Sequence, residues 1–165
     1  MKTRNHFVLT ACFVALLLTS TLAQQSNPPA SPPAATDYSG MYAFLREGEI
    51  VQITVEDQGR VTGYISRYGE RESDRGAFLD HFFKSGSLDG NKLTFVTNAI
   101  HGVWFEFRGT IEVGEGKKAG EEGYYLLKGT LIQSVTDENK KTTSRSREVA
   151  LKSLPGELPD DETKK

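Results

Sequence analysis

Histidine is the side chain that changes charge near neutral pH, and the central part of this chain carries two, His81 and His101. His81 follows Asp80. His101 stands ahead of a stretch in which Val103, Phe105 and Phe107 alternate with Trp104, Glu106 and Arg108. A histidine at the end of such a stretch can bind an anion or pass a proton. Asp80, His81 and His101 could hold a metal if the fold joined them. The simpler arrangement, a rim histidine bonded to a backbone carbonyl and a surface Asp-His pair, is the one expected. There is no His-Glu-x-x-His, no phosphate loop, no Gly-x-Ser-x-Gly elbow and no calcium loop. Gly114-Glu115-Gly116-Lys117-Lys118 has the composition of a phosphate loop but lacks the hydroxyl residue after lysine, and reads as a hairpin loop. No catalytic residue, metal ligand or cofactor is assigned. Glu56 and Arg67 are the remaining polar groups that an enzyme could use.

The aromatic residues say more. Phe78, Phe82 and Phe83 cluster in one segment, and Phe95, Phe105, Phe107, Tyr124 and Tyr125 lie in apolar runs. Phe78, Phe82, Phe83, His101 and Phe105 form the expected ligand-binding set. Trp104 and Arg108 fall on the face opposite the phenylalanines, a pairing typical of interface hot spots, and form the expected interaction set.

These residues must be positioned by a domain that starts well inside the chain. Lys2 and Arg4 precede an apolar run from Phe7 to Leu18, which thins to Ala23. A charged start, an apolar middle and a small final residue are the pattern of a secretory signal peptide over residues 1–23. Leu9-Thr10-Ala11-Cys12 also fits a lipobox, but the apolar run continues past Cys12. The expected location is secreted or periplasmic, with membrane attachment only through an uncleaved leader or a lipidated Cys12. Cys12 is the only cysteine, so the exported part can form no internal disulfide. That, with no Asn-x-Ser/Thr acceptor, favours a bacterial source. Basic residues number 20 against 22 acidic ones, and two of the cations lie in the leader. A mildly acidic domain lacks the footprint of a nucleic-acid binder. Lys117-Lys118, Lys140-Lys141 and Arg145 with Arg147 read as solvated hairpin tips.

Residues 24–37 form a linker with Pro28-Pro29 and Pro32-Pro33, and residues 155–165 a charged tail without a core. Between them, residues 38–154 read as antiparallel β structure. Val51, Ile53 and Val55 alternate with Gln52, Thr54 and Glu56, the pattern of a half-buried strand. Strands are predicted over 40–46, 50–56, 60–68, 85–88, 92–97, 101–113, 124–135 and 142–152. Asp57-Gln58-Gly59 and Asp89-Gly90-Asn91 supply hairpin turns. Residues 69–84 are predicted as an irregular or short helical lid. With tight turns and no crossover helix, neighbours in sequence should pair. The expected fold is all-β: an antiparallel up-and-down barrel or nearly closed meander of about eight strands. A β-sandwich is the runner-up.

Ser39-Gly40-Met41-Tyr42 resembles the glycine-x-tryptophan start of the calycins, the lipocalin and avidin group, with tyrosine in place of tryptophan. Gly59-Arg60-Val61-Thr62-Gly63-Tyr64 is similar to the glycine-spaced second hairpin of avidin-like barrels. The resemblance implies a barrel that takes a small molecule, a peptide or an enzyme, and names no ligand. The function expected is an exported binding module for a small apolar or amphipathic ligand held under the lid. The alternative is a protein-interaction or inhibitor domain of the bacterial envelope using its outer face. A barrel enzyme ranks third.

Overall fold

The structure is a computed structural model and describes residues 38–156. The expected leader with Cys12, the expected linker of residues 24–37 and the expected tail beyond Gly156 lie outside the described residues. Eight strands form one antiparallel sheet in sequential order. They are β1 (Gly40–Ala43), β2 (Ile50–Val55), β3 (Val61–Tyr68), β4 (Phe78–Asp89), β5 (Lys92–Thr97), β6 (Val103–Val113), β7 (Tyr125–Thr136) and β8 (Thr142–Lys152). No helix among the described residues is long and apolar enough to cross a membrane.

The sheet curls until its two edge strands meet at one end. Tyr42 bridges Ser153, and the Leu154 N–H donates to the Met41 carbonyl at 2.8 Å. No β8–β1 ladder continues from there, because β1 is four residues long and β8 eleven. The result is a half-barrel with a seam open beside most of β8. This is the nearly closed meander that alternation and tight turns call for.

Alternation decides what fills the concave face. Val51, Ile53 and Val55 of β2, Val61 and Ile65 of β3, Phe105, Phe107 and Ile111 of β6, and Leu127 and Leu131 of β7 are all buried. The middle is occupied by an aromatic stack: Phe83 on Phe95 at 4.3 Å, and Phe95 on Phe107 at 5.3 Å. Each such ring removes enough apolar area to contribute about 2 kcal/mol.

The lid needs correcting. Residues 78–84 belong to β4, in register with β3 through Tyr64↔Phe82, Ile65↔His81 and Tyr68↔Phe78. The strand is hidden in the sequence because both faces carry phenylalanine and one inward position is a histidine. Leu79, His81 and Phe83 point inward, while Phe78 and Phe82 point outward and are 50% and 57% exposed. A register shift between Phe83 and Ser85 then resets the alternation, so that Leu88 is buried again. Only residues 69–77 remain irregular, with a single 3-10 turn at Glu72–Asp74.

Tight curvature across β6 and β7 needs two glycines. Gly109 and Gly129 face each other in register. A Cβ on Gly109 would run into the Lys128 carbonyl oxygen and come within 2.7 Å of the Phe107 ring. Backbone cannot yield as a flexible side chain can. Gly109→Ala should therefore lower stability by about 2 kcal/mol or more, read as a fall in the urea midpoint. A midpoint within error of wild type would show that the sheet is not this closely packed at that corner.

Candidate functional site

At one end of the half-barrel the interior stops being apolar. The inward positions of β3 run Val61, Gly63, Ile65, Arg67, so strand alternation carries an arginine inside. Arg67 is 4% exposed. Its Nε–H donates to His81 Nε2 at 3.2 Å, and Nη1 donates to the Tyr68 carbonyl at 3.1 Å. The guanidinium carbon lies 5.4 Å from the centre of the Phe105 ring, within cation–π range. The nearest carboxylate is Glu70, 3.7 Å from Nη1 and half exposed. Nη2 makes no hydrogen bond among the described residues. Burial pulls the Arg67 pKa below its ordinary value, opposed chiefly by Glu70 and Glu49.

His81 is fully buried beside it, edge-on to Phe105 at 5.2 Å. An arginine Nε–H can only donate, so His81 Nε2 carries the lone pair and the ring hydrogen sits on Nδ1. Among the described residues that Nδ1 has no partner in hydrogen-bond geometry, although the Asn98 backbone is near enough to favour the charged form slightly. Burial first, and the Arg67 charge second, push the His81 pKa down to about 4.

Two cavities flank Arg67. One, of about 130 Å³, is lined by Phe44, Arg46, Glu49, Phe105, Gln133 and Arg147 among others, and lies where β1 has ended and the seam opens. Glu49 is buried there because its carboxylate accepts the backbone N–H groups of Tyr68 and Arg46, both at 3.2 Å. Arg46 Nη2 donates to Glu70 at 3.1 Å. The other cavity, of about 110 Å³, is roofed by the β3–β4 connection and includes Arg71, Asp74, Ile100 and His101. Asp74 Oδ2 lies 2.8 Å from His101 Nδ1, and Arg71 Nη2 donates to the His101 carbonyl at 3.1 Å. These contacts tie residues 69–77 to the turn before β6. The His101 hydrogen bond, outweighing desolvation, holds the Asp74 carboxyl below its usual range. A larger hollow, of about 600 Å³, lies at the opposite end. Its walls include Ser39 and Gly156, at the limits of the described chain, and Glu121 is their one charged side chain.

The expected site residues separate in this fold. Phe105 forms part of the cavity wall, and Phe83 packs into the core against Phe95. Phe78 and Phe82 stand on the outer face against Tyr68 and Tyr64, at ring separations of 4.4 and 5.5 Å. His101 is at the rim, but in the two-residue turn with Gly102 rather than in the strand, with φ of 50°. Trp104 and Arg108 do face outward. Trp104 is half-buried, and Arg108 lies 3.8 Å from Glu106. Asp80 hydrogen-bonds Ser66 on the outer face at 2.6 Å, away from His81 inside and His101 at the rim, so these three share no site. No cluster of three or more metal-ligating side chains occurs among the described residues. Arg147 is not at a hairpin tip; it sits inward on β8, paired with Leu131, and lines the cavity. Alternation with Val149 and Leu151 was the signal that could have found it.

No protein-family model and no curated protein matches this chain.

The buried histidine makes a pH prediction. In the unfolded chain His81 titrates near 6.5, whereas in the fold it stays neutral down to about 4. The unfolded chain therefore takes up a proton over this range that the native state refuses. His81's contribution is complete above pH 6.5, falls as pH drops toward 4 and levels off below. The loss should approach about 3 kcal/mol. Urea unfolding at pH 7, 5.5 and 4 should show this component in wild type and not in His81→Gln, which keeps an acceptor for Arg67. Equal slopes in the two proteins would refute the assignment.

Proposed function

We propose that the chain is an exported small half-barrel whose function is to bind a small amphipathic ligand at the seam beside Arg67. The observation that carries this reading is the cavity itself. It sits at the end of an otherwise filled interior, and its lining combines Phe44 and Phe105 with Arg67, Arg147 and Gln133. A purely apolar ligand fits less well, since charged and amide groups outnumber apolar ones in the lining. The ordered elements favour a preformed site, which holds a ligand without a large ordering cost. Export rests on the charged-then-apolar leader of residues 1–23, and on an exported part without cysteine.

Native mass spectrometry on the protein expressed with its own leader and gently released tests both halves. The expected result is a chain beginning at Gln24 that carries a small extra mass, lost on denaturation. Phe44→Ala and Arg147→Ala should lose that mass while the fold survives, and Phe82→Ala should keep it. Bare protein in every preparation would overturn the ligand-carrying reading.

A second reading is favoured by one observation, the exposed Phe78 and Phe82 on the outer face of β4. It makes the chain an envelope interaction domain, with this aromatic face as the contact and Trp104 and Arg108 as a separate patch. An envelope partner released by Phe78→Ser or Phe82→Ser, but not by Arg147→Ala, would favour it.

A further inference from the structure

The proposed site leaves its ligand undefined, and the charges around it define more. Three arginines line the seam cavity, Arg46, Arg67 and Arg147, against two carboxylates, Glu49 and Glu70. Glu49 is committed to two backbone N–H groups. Glu70 is committed to Arg46 and, more distantly, to Arg67. That leaves one positive charge over. It also leaves three groups without a hydrogen-bond partner among the described residues: Arg67 Nη2, the Arg147 guanidinium and the Gln133 carboxamide. Arg67 is the most demanding of these. Its ion pair with Glu70, at 3.7 Å, is shared with Arg46, so the charge of this covered cation is only partly matched.

A planar carboxylate answers each demand. It matches the fork of a guanidinium, accepts from the carboxamide N–H, and carries the single negative charge that is missing. The volume, about 130 Å³, limits the rest of the molecule. Each water in the liquid takes about 30 Å³, so the space suits a few non-hydrogen atoms. Phe44, Leu45 and Phe105 offer an apolar wall for a short hydrocarbon end.

Resting on the binding reading above, we propose that the seam cavity is a site for a short-chain monocarboxylate, its carboxylate held between Arg67 and Arg147 and its hydrocarbon end against Phe44 and Phe105.

Titration calorimetry on the full exported chain tests this with acetate, propionate and butyrate, with propionamide as the uncharged isostere, and with inorganic phosphate as a non-planar anion. The expected result is saturable binding of propionate or butyrate, at least tenfold weaker binding of propionamide, and phosphate weaker than the acids. Arg147→Gln, at a half-exposed position, should weaken butyrate at least fivefold. Arg67→Met should abolish binding, and Arg108→Gln, on the outer face, should change nothing. If Arg67→Met fails to fold, Arg147→Gln still decides. Propionamide binding as tightly as propionate, or phosphate binding more tightly than either acid, would overturn the carboxylate and leave the site standing. No saturable binding of acid, amide or phosphate, together with bare protein in the mass spectrum, would remove both. Butyrate binding unchanged in Arg147→Gln would place the ligand elsewhere and overturn the proposal.

Discussion

A single sheet that curls on itself has one concave face, and its own side chains must fill it. That constraint governs the rest of this structure. Among the described residues there is no second sheet and no packed helix to share the burial. The inward residues of eight strands therefore have to supply the core, with glycine where the curl is tightest. The Phe83–Phe95–Phe107 stack and the aliphatic residues around it meet this requirement through the middle of the molecule. Full closure would need β1 to run the length of β8. It does not, and the seam follows directly from that difference in strand length.

The seam changes the chemistry at one end. Where the barrel is closed, an inward arginine would be intolerable. Where it is open, Arg67 can be nearly covered and still have space at one edge of its guanidinium. His81, Phe105 and the Tyr68 carbonyl satisfy part of that group. Glu49 and Glu70 are drawn to the same end and are mostly used by backbone and by Arg46. The connection of residues 69–77 closes over the second cavity through Asp74 and Arg71 at His101. A polar interior end held this way has its lining tied by hydrogen bonds and carries more positive than negative side chains.

Most of the architecture was written in local pattern. Period-two alternation and the Asp-Gly and Asn-containing turns located seven strands to within a few residues, because each strand's faces see different surroundings and each tight turn needs a particular backbone. The eighth region, residues 78–84, escaped because Phe78 and Phe82 face out while Phe83 faces in, so polarity no longer marks the faces. Only the register against β3 distinguishes them. Likewise, alternation by itself turned Trp104 and Arg108 outward and Phe105 inward.

The sequence by itself determined an all-β meander and its strand order. Tertiary structure decided that Arg67 and Arg147 meet in one cavity, that His101 pairs with Asp74 rather than with His81, and that Phe78 and Phe82 line no interior. The reason is distance along the chain. Arg67 and Arg147 sit on different strands, and the curl that joins them depends on how far every intervening strand twists and where β1 stops. No local pattern records that sum.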